Sequence, residues 1–184
     1  IYVPDQASMV FAKEMIKYMK DKYGVDPVYE VQAGEKETDF RSYLMKAKAA
    51  NPEVIVLSGL VDETVRMLVQ SYEVGIPKSV HRVANSVASK VEVPTNAGKA
   101  AVGVVYSAAF AASDTRPIAK KFVKMVKDKY GVVPGHDFSQ MQDLLDMLKP
   151  ALEKVKFSGN LAADRNAVRD SIASIKGFTG LASG

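Results

Sequence analysis

Apolar positions recur at helical spacing over 8–23, where Phe11, Met15 and Met19 fall every fourth residue with Ile16 beside them. Gly24 then stands where a helix C′ residue belongs. Positions 27–32 alternate as a strand does, and the polar stretch 34–38 offers Thr38 or Asp39 as N-cap of the next helix. That helix, 40–50, carries Phe40, Leu44 and Ala47 on one face and is stopped by Asn51-Pro52. Val54-Ile55-Val56-Leu57 is too short for a helix and apolar on both sides, the pattern of a central parallel strand. Helical period returns over 62–74 through Val65, Leu68 and Tyr72, with Gly75 after it; strands are expected at 79–83 and 101–106. Ile1-Tyr2-Val3-Pro4 reads as the end of one more strand, and Asp5-Gln6-Ala7 as the loop that follows. Strands alternating with helices through short connections make βαβ units, hence an open parallel sheet with helices on both faces.

After Phe110 the pattern changes. Helices are expected at 114–130, 138–155 and 164–175 with no strand between them. Their stripes are Ile118, Phe122, Met125; Met141, Leu144, Leu145, Leu148; and Val168, Ile172, Ile175. Each must bury against something. The expected organisation is an α/β domain over 1–109 and helices of a second, incomplete domain over 110–184. Lys20-Asp21-Lys22-Tyr23-Gly24-Val25 recurs as Lys127-Asp128-Lys129-Tyr130-Gly131-Val132. Two helix C-termini with the same cap chemistry explain that match better than a repeat does.

Composition narrows the classes. Of 184 residues 47% are hydrophobic and 25% charged, enough for a core and too apolar for a disordered chain. The net charge of +4 comes from a small excess of Lys, not from a basic block, so nucleic acid is not an expected partner. Without Cys there is no disulfide framework, thiolate nucleophile or thiolate metal site. No apolar run reaches the roughly 20 residues of a membrane helix. The longest uncharged stretch, 100–113, is broken by Gly103 and Ser107, so direct membrane insertion is not expected. The chain opens mid-strand without an initiator Met or a signal-peptide pattern, and the expectation is that sequence upstream has been removed.

The catalytic inventory is thin. His81 and His136 are the only histidines, and neither has a ligand partner at metal spacing. No GxGxxG follows a strand, and no P-loop or GxSxG elbow occurs. Asp143 and Asp146 share a helix, and Asp62-Glu63 open one; they read as a solvated face and a favourable dipole contact. Lys120, Lys121, Lys124 and Lys127 read as a solvated stripe, and Met15, Met19, Met125 and Met141 as core filler. The chain is expected to be no enzyme, with no metal and no cofactor.

Position is more informative than chemistry. In open α/β sheets ligands collect outside the carboxyl ends of the strands. Those ends are Asp5-Gln6-Ala7-Ser8, Ser58-Gly59-Leu60-Val61, Ala84-Asn85-Ser86 and Ser107-Ala108. Asp5 or Ser8 also opens a helix whose free N–H groups suit an anion.

At these same residues the chain resembles the solute-binding proteins of branched-chain amino acid ABC transporters, the type I periplasmic binding fold. The match is an ordered series covering essentially the whole chain. It runs through Asp5-x-x-Ser8, Thr38-Asp39-Phe40, Ala49-Ala50-Asn51-Pro52-Glu53-Val54-Ile55, Ser58-Gly59 and Gly75-Ile76. It continues through Ala101-Val102-Gly103-Val104-Val105, Lys129-Tyr130-Gly131, Ala151-Leu152-Glu153-Lys154, Val168-Arg169-Asp170 and Gly177-Phe178-x-Gly180. The resemblance implies two α/β lobes closing by a hinge on a small-molecule ligand, in a protein outside the cytoplasm, periplasmic or extracellular, that delivers solute to a membrane permease. A sensor domain of a receptor or regulator with the same fold is the other function it implies.

The family's ligand positions fall on Asp5, Gln6, Ala7, Ser8, Leu60, Asn85 and Ser86. A common Tyr-Gly pair becomes Ala7-Ser8, and an aromatic after the second strand end becomes Leu60. The acidic residue that often holds an α-amino group would fall near Ala84-Asn85, where there is no carboxylate. The implied ligand is amino-acid-like, an amide or an aromatic acid, with Asn85, Ser8 and Gln6 as hydrogen-bonding groups. Much of the first lobe and the last strands of the fold are expected to lie outside this chain. Exposed apolar surface is the consequence, met by self-association or by the missing part.

Overall fold

Tyr2 joins two parallel neighbours. Its N–H donates to Val31 O at 3.2 Å and its carbonyl accepts from Ala33 N at 2.8 Å, while Val3 N and Ser58 N bond Ser58 O and Ile1 O at 3.0 Å each. The computed structural model describes residues 1–182; residues 183 and 184, the last of the expected 110–184 segment, lie outside it. The chain forms two compact units, Ile1–Ser107 and a second from Ala108 onward.

The first unit contains α1 (Gln6–Tyr23), α2 (Arg41–Ala49), β1 (Val54–Leu57), α3 (Val61–Glu73), β2 (His81–Ala84), α4 (Glu92–Ala97) and β3 (Val104–Tyr106). All three strands are parallel in the order β1-β2-β3, with Val56 opposite Val83 and Val83 opposite Val105. The Tyr2 bridges to Ser58 and Gln32 continue the sheet on the β1 side. The expected open parallel α/β layer is therefore present. Its core gathers Phe40 and Leu44, Ile55 and Leu57 of β1, Met67 and Leu68 of α3, Ala84, and Val93 and Ala97 of α4.

Several local expectations are corrected. The strand expected over 27–32 narrows to one bridge at Gln32. The strand expected from 101 begins at Val104, because Gly98–Ala101 winds a 3-10 turn and Gly103 follows at φ 80°. Neither Thr38 nor Asp39 is the cap position of α2. Phe40 is, and the buried Gln70 of α3 serves that end, accepting from Phe40 N at 2.5 Å and donating to Thr38 O at 2.9 Å. Nor is the sheet covered evenly. Successive residues of β1 point to opposite faces, and while Ile55 and Leu57 are buried, Val54 remains 48% and Val105 58% exposed. On that face Ala12, Met15 and Ile16 of α1 share an apolar groove of about 130 Å³ with Val54 and Val56.

The second unit is helical, with α5 (Pro117–Tyr130), α6 (His136–Lys154) and α7 (Leu161–Ala173). Its core is Phe110, Ala119, Phe122, Val126 and Leu181, with Phe110 edge-on to Phe122 at 5.8 Å between ring centroids. The buried stripe of α5 is Ala119, Phe122 and Val126; Ile118 and Met125 stay exposed. On α6 the buried residues are Ser139, Asp143 and Ala151, whereas Met141, Leu144 and Leu145 are exposed. Met19, Met125 and Met141 are thus surface residues, not core filler.

Asp143 is not part of a solvated face either. Its carboxylate accepts from Leu181 N at 2.6 Å and Ala182 N at 2.8 Å, and Arg116 donates to Gly180 O and Leu181 O from the other side. The duplicated hexapeptide has its explanation in the caps. Gly24 and Gly131 sit at φ 67° and 69° and each returns its N–H to the lysine carbonyl four residues back. Left-handed backbone of this kind is where glycine costs nothing.

Candidate functional site

The carboxyl ends of the segment around Tyr2, of β1 and of β2 lie side by side in one parallel sheet. Parallel strands place these ends on one edge, which brings together residues distant in sequence. Asp5 is the N-cap of α1 in extended backbone (φ −94°, ψ 151°), and its Oδ1 accepts from Ser8 N at 3.0 Å. Ser8 is fully buried. Its carbonyl accepts from Ser58 Oγ at 3.2 Å, and Ser58 Oγ in turn accepts from Asn85 Nδ2 at 3.2 Å. Asn85 Nδ2 also donates to Gly59 O at 3.1 Å, a carbonyl shared with Thr64 Oγ1 at 3.2 Å. One hydrogen-bonded line thus runs from Asp5 through Ser8 and Ser58 to Asn85.

Gly59 is held to its residue type by packing. A Cβ there would lie 2.9 Å from Glu63 Cβ and 3.0 Å from Met67 Cε, so only glycine lets the chain turn this tightly into α3.

Three buried side-chain atoms on this line have no hydrogen-bond partner among the described residues: Asp5 Oδ2, Ser8 Oγ and Asn85 Oδ1. Buried polar atoms are nearly always paired, and each exception asks for an explanation. Two of the three are pure acceptors and the third is a hydroxyl. Their chemistry calls for a hydrogen-bond donor.

Of the expected ligand residues, Asp5, Ser8 and Asn85 are brought together in this way. Gln6 and Ala7 lie exposed on the first turn of α1, and Leu60 is 51% exposed at the N-cap of α3. Ser86 is half-buried, and its carbonyl accepts from Ser89 Oγ within a 3-10 turn. Ser58 and Gly59 are the joining residues. They stand at the expected strand end, immediately before Leu60, which takes no part in this hydrogen-bonded line.

The histidines lie apart from this site. His81 opens β2 at the opposite, amino end of the strand, and His136 opens α6, its Nδ1 accepting from Ala109 N at 3.2 Å. Asp62 and Glu63 occupy the first turn of α3, where the helix dipole favours them. Among the described residues no group of acidic or histidine side chains has the arrangement of a metal site, and no helix is long and apolar enough to cross a membrane.

The family model described as periplasmic binding protein matches residues 1–184. Among solved structures, a leucine-binding protein of Thermotoga maritima is 25% identical, with a TM-score of 0.72 over 84% of this chain and 43% of that one. The substrate-binding protein of a branched-chain amino acid transporter from Streptococcus pneumoniae, in complex with isoleucine, is 24% identical, with a TM-score of 0.81 over 99% of this chain and 50% of that one. A solute-binding protein of an ABC transporter from R. palustris, in complex with benzoate, shares the fold at 15% identity and a TM-score of 0.78, over 98% of this chain and 48% of that one. Among curated proteins there is no match. The chain spans about half the length of the solved relatives it matches.

Proposed function

The chain belongs to the periplasmic binding protein family, and on that premise we propose that it is part of an extracytoplasmic receptor that captures a small solute for an ABC uptake permease. The observation that carries the reading is the set of unpartnered buried atoms Asp5 Oδ2, Ser8 Oγ and Asn85 Oδ1 at the carboxyl ends of the sheet. A ligand bearing an ammonium, amide N–H or hydroxyl group satisfies two acceptors there and meets the negative charge of Asp5. No carboxylate stands near Ala84-Asn85, but a buried ammonium needs a counter-charge, and Asp5 supplies one from the strand end on the far side of β1, which keeps amino acids beside amides among the candidate ligands. Binding rather than turnover is the chemistry such a site supports, since it holds acceptors and a hydroxyl but no base paired with a nucleophile.

The exposed side chains of the second unit belong to the same reading. Phe138, Met141, Leu144 and Leu145 on α6 are each close to half exposed or more. Covered by further polypeptide, or by a second copy of the chain, they bury the apolar area that they now leave open.

The test is a thermal-shift and calorimetric screen of the intact protein against amino acids, their amides, and carboxylic acids without an N–H donor. Stabilisation by donors, lost in Asp5→Asn, supports the reading. Equal stabilisation by donor-free acids in both proteins overturns it.

A further inference from the structure

A second polar concavity lies at the other end of the sheet. It has a volume of about 310 Å³ and is walled by Lys78, His81, Arg82 and Lys99, with Tyr72 at its rim. These residues come from three segments: the end of α3, the start of β2, and the turn before β3. Among the described residues no carboxylate lines it. Lys78, His81, Arg82 and Lys99 form no ion pair among the described residues, although the chain pairs several other cations with acids.

Arg82 fixes the floor. Its guanidinium is half-buried and spends its donors on Ser71 Oγ at 3.1 Å, Val80 O at 3.2 Å and Ile76 O at 3.0 Å. Burial lowers its pKa from the usual arginine value, with no acid nearby to restore it. Lys78 and Lys99 are exposed and leave their charge and donors free above that floor, with the exposed imidazole of His81 beside them. Like charges converging on a concavity repel one another unless an anion joins them, and concave walls focus the field they make. The concavity is too compact for an extended acidic peptide. It suits a multivalent anion with oxygens on several sides.

We propose that this concavity, at the amino ends of β2 and β3 and remote from the strand ends named above, binds a phosphate-bearing anion through Lys78, Lys99 and His81, with Tyr72 donating from the rim. Such a group exists free in solution as phosphate or pyrophosphate and on membranes as a lipid headgroup. The proposal stands independently of the solute that the other end takes.

The experiment is calorimetry of the intact protein with inorganic pyrophosphate, and sedimentation with phosphatidylcholine vesicles with and without phosphatidylglycerol. The comparison is Lys78→Gln with Lys99→Gln against a control, Lys120→Gln with Lys127→Gln on α5. Both changes are at exposed residues, and unchanged thermal melts establish that the proteins fold. Pyrophosphate binding that weakens about tenfold or more in the first variant and not in the control supports a soluble anion. Vesicle binding that needs phosphatidylglycerol and is lost in the same variant supports a headgroup. No binding in either arm, or equal loss in both variants, overturns the proposal. So does a polyglutamate peptide that binds where pyrophosphate and vesicles do not.

Discussion

Gly180 lies so close to Asp143 that a Cβ added to it would stand 2.4 Å from the carboxyl Cγ. The contact exists because the carboxylate reaches past Gly180 to the N–H groups of Leu181 and Ala182. Any side chain at 180 has to push the acceptor away from its donors.

Gly180→Ala is therefore expected to destabilise the second unit by about 1–3 kcal/mol. Asp143→Asn leaves one acceptor oxygen for two donors and is expected to cost about 1.5–3 kcal/mol. Chemical denaturation of both variants checks this. A midpoint unchanged in either would mean that the segment is not held by this carboxylate.

Ser8→Ala should separate stability from binding. The hydroxyl is buried without a partner, so its removal is expected to leave the ligand-free protein unchanged or to raise its stability by about 1 kcal/mol. Ligand affinity should fall in the same variant. Calorimetry against whichever solute emerges from the screen, read beside a thermal melt, tests both halves; a destabilised protein with full affinity contradicts the site.

Gly59→Ala is expected to cost about 1–3 kcal/mol, because Glu63 Cβ and Met67 Cε leave no room for a methyl group. The damage should extend to Asn85, whose amide uses the Gly59 carbonyl. Amide exchange at 85 faster than in the wild type would register it. Exchange unaltered at 85 would uncouple the two strand ends.

Asp114 offers a pH handle. Its carboxyl is held below the usual carboxylate range, first by the side-chain hydrogen bond from Arg116 and then by the Arg116 backbone N–H at 2.8 Å. The folded value is thus lower than the unfolded one. Its contribution is complete above the unfolded pKa of about 4 and is lost as pH falls through the folded value. Carboxyl carbon titration by NMR should place the Asp114 midpoint below that of a model peptide, and Arg116→Gln should bring it back up. A midpoint at or above the peptide value refutes the pairing.

The parts of the fold legible in the residues are those with a local cause. Val54–Leu57 is a strand because four branched apolar residues in a row suit little else, and Gly24 and Gly131 end helices because a left-handed residue is needed there. On α5 the periodicity favours the largest apolar residues, Ile118 and Met125, whereas the structure buries Ala119 and Val126 around Phe122. A small residue lets a helix approach closely, and periodicity does not weigh closeness. On α6 the buried Asp143 answers to backbone groups far along the chain, a relation no spacing encodes. The same holds for α2, whose end is served by Gln70 and not by a neighbouring cap residue. At the candidate site, Asp5, Ser8 and Asn85 were legible from their place at strand ends, while Ser58, which links them, became visible only once the strands were adjacent.

The double bridge of Tyr2 has a kinetic meaning as well. β1 and β2 can meet through the single crossover of α3, but the segment around Tyr2 takes its place only when both Gln32 and Ser58 have arrived on either side of it. Long loops must close before those pairings repay the entropy lost. The strand end that carries Asp5 and Ser8 is therefore expected to be among the last parts of the sheet to assemble, after the core that supports it.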